Sequence, residues 1–127
     1  MRAKLIAAVL VLVLILALCA FSYCVVKSET DSMRELSKKA VSALDAGEDE
    51  LVETEMTRLQ ARLVSGRATL EILTLHNAIN RVGERIIQAK AHIELNQQDE
   101  FRCDIALLDE DLTVLFEQQK LTWSNLF

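Results

Sequence analysis

Residues Leu5 to Val26 form an uncharged apolar run that contains neither proline nor glycine. A helix of this length extends for roughly 30 Å, which matches the hydrocarbon core of a bilayer. Because lipid offers no hydrogen-bond partners to the backbone, a single run that crosses a membrane has to be helical. The sequence therefore predicts a transmembrane helix over residues 5–26, with the lipid bilayer as its partner.

The charges beside this run predict its orientation. Arg2 and Lys4 precede it with no acidic residue among them, whereas the residues that follow it carry both signs. Basic residues near the end of a span favour the cytoplasmic side of the membrane. We therefore expect a single-pass protein of the cell membrane, with residues 1–4 as a cytoplasmic stub and residues 27–127 outside the cytoplasm.

A cleaved signal peptide is the alternative to a retained anchor. Ala20-Phe21-Ser22 satisfies the small-x-small pattern of a cleavage site. However, the apolar run is longer than the roughly 7–15 residues usual in a signal peptide. The sequence favours the anchor and leaves the alternative open.

Composition limits what the outer part can be. Apart from Arg2 and Lys4, the chain has 12 basic against 19 acidic residues, a net charge of −7. This balance argues against nucleic acid and against a basic face that docks on anionic lipid. The absence of proline, with many good helix formers, predicts an all-α fold.

Apolar residues at spacings of three and four predict amphipathic helices that pack as an antiparallel bundle of about four helices over residues 27–119. The seams are Met33, Leu36, Ala40 and Ala43; Val52, Met56, Leu59, Leu63, Gly66, Leu70 and Leu73; Ile79, Val82, Ile86, Ala89 and Ile93; Phe101, Ile105, Leu108, Leu112 and Leu115. The stretch LDAGEDELV from Leu44 matches IELNQQDEF from Ile93, and the seams that follow match at the same offset. The bundle is therefore predicted to consist of two similar helical hairpins.

Four residues are predicted at turns and caps. Gly47 and Asn96 are placed as the residues that follow a helix, where a left-handed conformation is common. His76 and Asn77 are predicted in the turn between the second and third bundle helices, with Asn77 as the N-cap. Gly66 and Gly83 lie at similar distances on either side of this turn, so we expect the two helices to cross closely there.

The C-terminal residues 120–127 are predicted to form a separate apolar tail. Leu121, Trp123, Leu126 and Phe127 are costly to leave in water. The tail either folds back onto the end of the bundle or serves as a partner-binding segment.

These segments together resemble one family. Lys4 and the apolar span, LDAGEDELVETEMTRL, LTLHNAINRV and the closing KLTWSNLF are similar to an uncharacterised family of short, single-pass, extracytoplasmic helical proteins of Firmicutes, the domain of unknown function numbered forty-three sixty-three. The resemblance extends over nearly the whole chain, and His76 and the Leu-Thr-x-x-Asn-Leu-Phe ending are its most specific marks. The chain departs from the family pattern in lacking a Trp in the second bundle helix and in having Asn96 where glycine is commoner. The resemblance implies a bacterial, membrane-anchored helical bundle with no catalytic residues assigned.

No motif in the sequence predicts catalysis, a cofactor or a metal. His76 and His92 lie on different predicted elements, and neither belongs to a zinc or di-metal pattern. Glu84, Gln88 and His92 share a helix face, which is typical of a solvated stripe. We therefore expect a protein that is not an enzyme.

The sequence favours a structural or interaction role, as an accessory to another membrane or cell-envelope protein. A passive small-ligand binder at the outer face of the membrane is the alternative, because helical bundles also enclose ligand pockets. Homo-oligomerisation is left open.

Overall fold

The computed structural model describes the backbone of residues 1–73 and 76–126 and the side chains of residues 1–71 and 76–117. Within these ranges the chain forms four helices and no strands. They are α1 (Arg2–Asp45), α2 (Asp49–Leu73), α3 (His76–Glu94) and α4 (Gln98–Leu126). The prediction of an all-α fold, with a long apolar first helix and an antiparallel bundle, is confirmed.

The apolar segment (residues 5–26) and the first bundle helix are one continuous helix. α1 is 44 residues long, which corresponds to about 66 Å. The first glycine of the chain is Gly47, and there is no proline, so nothing within α1 favours a break. The helix therefore has no boundary near residue 27, between the predicted transmembrane segment and the predicted bundle.

The four helices pack in a ring in which each contacts the next. α1 packs against α2 and α4, and α3 packs against the same two helices. Links of three residues join α1 to α2 and α3 to α4, which makes each pair antiparallel. The turns at Gly47 and Asn96 form the distal end of the bundle, whereas Tyr23, His76 and Phe116 lie at the opposite, proximal end.

Apolar side chains at heptad-like spacing fill the interior of the bundle. The buried apolar residues are Val26, Met33, Ala40, Ala43, Leu44, Val52, Met56, Leu59, Leu63, Leu70, Ala78, Ile79, Val82, Ile86, Ala89, Phe101, Ile105, Leu108, Leu112 and Leu115. Each large member contributes about 1.5–3 kcal/mol relative to exposure. This core begins at Val26, within the apolar segment.

The seam of α1 differs from the sequence prediction at one position. Leu36 is only half-buried, while Thr30 and Ser37 are buried on the same helix. Their hydroxyl groups donate to main-chain carbonyl oxygens of α1, Thr30 to Val26 at 3.0 Å and Ser37 to Arg34 at 2.8 Å. Because these hydroxyls are satisfied within their own helix, they can occupy a core position that an apolar pattern does not reveal.

The two distal turns have the same hydrogen-bond pattern. The N–H of Glu48 donates to the carbonyl of Ala43 at 2.9 Å, and the N–H of Gln97 donates to the carbonyl of His92 at 2.8 Å. Gly47 and Asn96 precede these donors and have φ of 73° and 59°. This is the bonding of a Schellman turn, in which the residue with positive φ ends the helix.

Candidate functional site

The N-terminal half of α1 is an exposed apolar surface. Residues 5–21 are exposed except for the half-buried Cys19, and Phe21, for example, exposes 65% of its surface. None of the residues in the most apolar window of this helix is buried inside the protein. Among the described residues, α1 is the one helix that is long and apolar enough to cross a membrane. Its exposure distinguishes it from the core helix of a globular domain.

The bundle and the apolar segment overlap. The ring centroids of Tyr23 and Phe116 lie 5.3 Å apart, at an interplanar angle of 53°, and Val26 is fully buried. α4 therefore packs against the last turns of the apolar segment. The sequence indicated both elements but not this overlap, because it depends on the register between two helices distant in the chain.

α4 continues through the predicted tail. Its helix ends at Leu126, so residues 120–126 are the last turns of α4 in the described backbone and not a segment that folds back on the bundle. The side chains of Leu121, Trp123 and Leu126, and the whole of Phe127, lie outside the described part of the chain. The prediction that this tail binds a partner is therefore not addressed by its contacts.

Gly66 and Gly83 face different neighbours, which corrects the prediction of one close crossing. A Cβ added at Gly66 would lie 2.8 Å from Oε2 of Glu29 on α1, whereas one added at Gly83 would lie 3.4 Å from Cδ2 of Leu63 on α2. Gly83 thus lies at the contact between α2 and α3, but Gly66 lies on the face of α2 that meets α1. Similar distances from a turn predict the level of a residue but not its direction around the helix.

His76 and Asn77 begin α3 at the proximal end. His76 is the first residue of the helix, so Asn77 lies inside the first turn and not at the N-cap position predicted from the sequence. Nδ1 of His76 is 3.5 Å from Oε1 of Glu71, and its side chain is 64% exposed. This pair joins the end of α2 to the start of α3.

Polar pairs link the neighbouring helices around the ring. Between α1 and α2, Arg62 donates from Nε and Nη2 to the carboxylate of Glu29 at 3.1 and 3.2 Å. Between α2 and α3, Lys90 donates to Gln60 at 3.0 Å. Further pairs of this kind are Arg67 with Asn80, Arg85 with Asp111, Arg34 with Asp109 and Thr113, and Arg102 with Asp45. These pairs fix which helix faces lie together, and sequence spacing alone did not reveal them.

Two buried carboxylates lie near the distal turns. Asp104 accepts a hydrogen bond from Nδ1 of His92 on α3, and its side chain is only 8% exposed. Glu55 is also buried; its Oε1 accepts from Nη1 of Arg58 at 2.9 Å, while its Oε2 has no hydrogen-bond partner among the described residues. The sequence pattern predicted a solvated stripe of Glu84, Gln88 and His92, and it did not reveal the partner of His92, because this partner lies on the following helix.

The described side chains do not form a metal-binding cluster. Within the described ranges, no three His, Cys, Asp or Glu residues converge in a manner that could hold a metal ion. His92 and Asp104 supply two such groups in contact, which is fewer than the four ligands of a structural zinc site. Their arrangement is that of a hydrogen-bonded pair between helices.

Comparison with protein-family models, with curated proteins and with solved structures finds no match to this chain. The family resemblance described from the sequence therefore stays a prediction.

Proposed function

We propose that this chain is a membrane-anchored helical interaction module, held outside the cytoplasm by residues 5–26, and that it acts as an accessory to another membrane or cell-envelope protein. The main support is the two-part character of α1, which exposes apolar side chains over residues 5–21 and contributes to a bundle core from Val26 onward. A large exposed apolar surface is typical of a membrane or protein interface. In a bilayer the apolar side chains of residues 5–21 would contact lipid and not water, and the helical backbone would satisfy its own hydrogen bonds.

The polar groups of the bundle favour a structural role. The basic side chains of Arg34, Arg62, Arg85 and Arg102 each pair with an acid on a neighbouring helix. His92 is engaged with Asp104 in the same way. Because these arginine and histidine side chains already bond to neighbouring helices, they are not free to bind a substrate. A tethered bundle also reaches a high effective concentration near its neighbours, so a weak interface is sufficient for association.

The alternative of a small-ligand binder has less support. A cleft of about 240 Å³ lies between α2 and α3, and it is lined by Gln60, Ile87, Lys90, Ala91 and Glu94. Small-molecule sites are mostly apolar and enclose most of the ligand surface. This cleft is an open surface groove with charged groups at its edge, which is more typical of a protein contact.

Membrane topology can be tested with single-cysteine variants. Cys103 is exposed on α4, so the double substitution Cys19→Ala and Cys24→Ala leaves one reporter on the bundle. We expect a membrane-impermeant maleimide to label it in intact cells. The matched control adds Cys103→Ser and Ala3→Cys, and its reporter should react only after permeabilisation. The opposite pattern would contradict the orientation, and recovery of the full chain in the soluble fraction would contradict the anchor.

The accessory role can be tested by crosslinking the tagged chain in native membranes and identifying the co-purified proteins by mass spectrometry. We expect one membrane or envelope protein at near-stoichiometric amounts. A tagged chain ending at Val26 serves as control, since a partner held by the bundle should be lost from it. Recovery of the chain alone would contradict the accessory role and favour self-association.

A further inference from the structure

The exposed part of the apolar segment is shorter than a bilayer is thick. Residues 5–21 give about 25 Å of helix, whereas the hydrocarbon core is about 30 Å thick and a tilted helix needs more. The apolar residues that can supply the missing length are the following ones, 22–26. These already belong to the bundle, because Tyr23 contacts Phe116 and Val26 is buried.

α4 leads from this contact toward the membrane. It runs antiparallel to α1, as three pairs of contacts show: Arg102 meets Asp45, Asp109 meets Arg34, and Phe116 meets Tyr23. From Phe116 the helix continues to Leu126, a further distance of about 15 Å. Position 123 is about 10 Å beyond Phe116, so the backbone of α4 there lies near the level of Leu16 on α1.

The sequence of these last turns suits a lipid environment. Lys120 is the last charged side chain, and residues 121–127 contain no ionisable side chain. The helical backbone satisfies its own hydrogen bonds, as a lipid environment requires.

We propose that the C-terminal end of α4 is embedded in the outer leaflet of the bilayer, with residues 121–126 lying in lipid beside α1. The occupants of this surface are the acyl chains of the outer leaflet. They are recognised by apolar contact and not by basic residues, in keeping with the net acidic charge of the outer part. The inference rests on the proposed anchor. The chain would then be attached to the bilayer by one full span, residues 5–26 of α1, and by one partial insertion, residues 121–126 of α4.

The single tryptophan makes the proposal testable in the full chain. Trp123 is the only Trp, and the purified protein can be reconstituted into phosphatidylcholine vesicles whose acyl chains carry bromine at a shallow or a deep position. We expect loss of Trp123 emission with both lipids, and a larger loss with the deep bromines, because position 123 lies near the level of Leu16, in the middle of residues 5–26. Trp123 emission that bromine does not affect would overturn the proposal. An aqueous quencher then distinguishes a Trp123 that is open to water, and so available to a protein partner, from one that the bundle shields.

Two relocated reporters separate this inference from the anchor itself. Trp123→Phe with Phe21→Trp places the reporter on the exposed apolar segment, and its emission should be quenched. Trp123→Phe with Leu95→Trp places it at the distal end, and its emission should be unaffected. If the reporter at position 21 is not quenched, the anchor fails together with the proposed function. If it is quenched while Trp123 is not, the anchor stands and only the embedding of α4 is overturned.

Discussion

Glu55 and Asp104 occupy equivalent positions in the two hairpins and are both buried, but only Asp104 meets a histidine. The offset that relates Gly47 to Asn96 also relates these two acids, and it relates Ala43 to His92. In the first hairpin the methyl group of Ala43 therefore stands at the position that corresponds to the imidazole of His92, the partner of Asp104. Oε2 of Glu55 is left without a hydrogen bond among the described residues. The repeat has kept the buried acid in both copies and its histidine partner in one.

This difference predicts opposite effects of one substitution at the two positions. Glu55→Leu should raise the free energy of unfolding by about 1 kcal/mol, because an unsatisfied buried oxygen costs about 1–3 kcal/mol and the lost pair with the largely exposed Arg58 contributes at most about 1 kcal/mol. Asp104→Leu should lower it by about 1–3 kcal/mol, since it leaves His92 without its partner. Thermal unfolding of the full chain in detergent micelles, followed by far-UV circular dichroism, measures both. Effects of the same sign would show that the two acids are equivalent.

The distal turns predict a second pair of opposite effects. Gly47 has a φ of 73°, and a Cβ added there would contact nothing within 4 Å. The cost of Gly47→Ala is therefore that of a left-handed backbone alone, about 1–2 kcal/mol of destabilisation. Asn96→Gly is the matched control and should stabilise by a smaller amount, because asparagine tolerates this conformation less well than glycine. Denaturant unfolding of both variants checks the two signs, and a neutral Gly47→Ala would argue against this backbone geometry.

Gly66 predicts a coupling between α1 and α2. Gly66→Ala alone gains about 1 kcal/mol of helix stability, but the new Cβ displaces the Glu29 carboxylate and weakens its hydrogen bonds from Arg62. In a Glu29→Ala background this penalty disappears, so the same substitution should stabilise by roughly 0.5 kcal/mol more. A double-mutant cycle on the full chain measures the coupling. Additive effects would place Glu29 away from Gly66.

The sequence predicted the helices and their buried faces because both depend on local periodicity. Val52, Met56 and Leu59 are fully buried where their spacing placed them. Ser37 was missed, since its hydroxyl is satisfied within its own helix and leaves no mark in an apolar pattern. The repeat of the distal turn was also visible, because a turn of this type depends on a few adjacent residues.

The contacts between helices could not be predicted in the same way. The direction in which Gly66 faces depends on the rotation of α2 about its axis within the ring. An apolar seam identifies the buried face of a helix, but it does not identify which helix packs on either side of that face. His92 shows the same limit, because its partner Asp104 lies on the following helix. Long side chains such as Arg62 reach across helices whose register the sequence does not contain. The overlap of Tyr23 with Phe116 is a further case, as it joins residues distant in the chain.

Because α1 is one continuous helix, the apolar segment and the bundle move together as a rigid unit. Without a hinge between residues 5–26 and the bundle, any change in the inclination of the membrane segment is transmitted directly to the far turns. A tilt of about 20°, common for spanning helices, would carry Gly47 sideways by roughly 10 Å. The height of each bundle face above the membrane is likewise fixed. If residues 5–26 span a bilayer as proposed, a partner would meet the bundle at a height and angle set by the tilt of this segment.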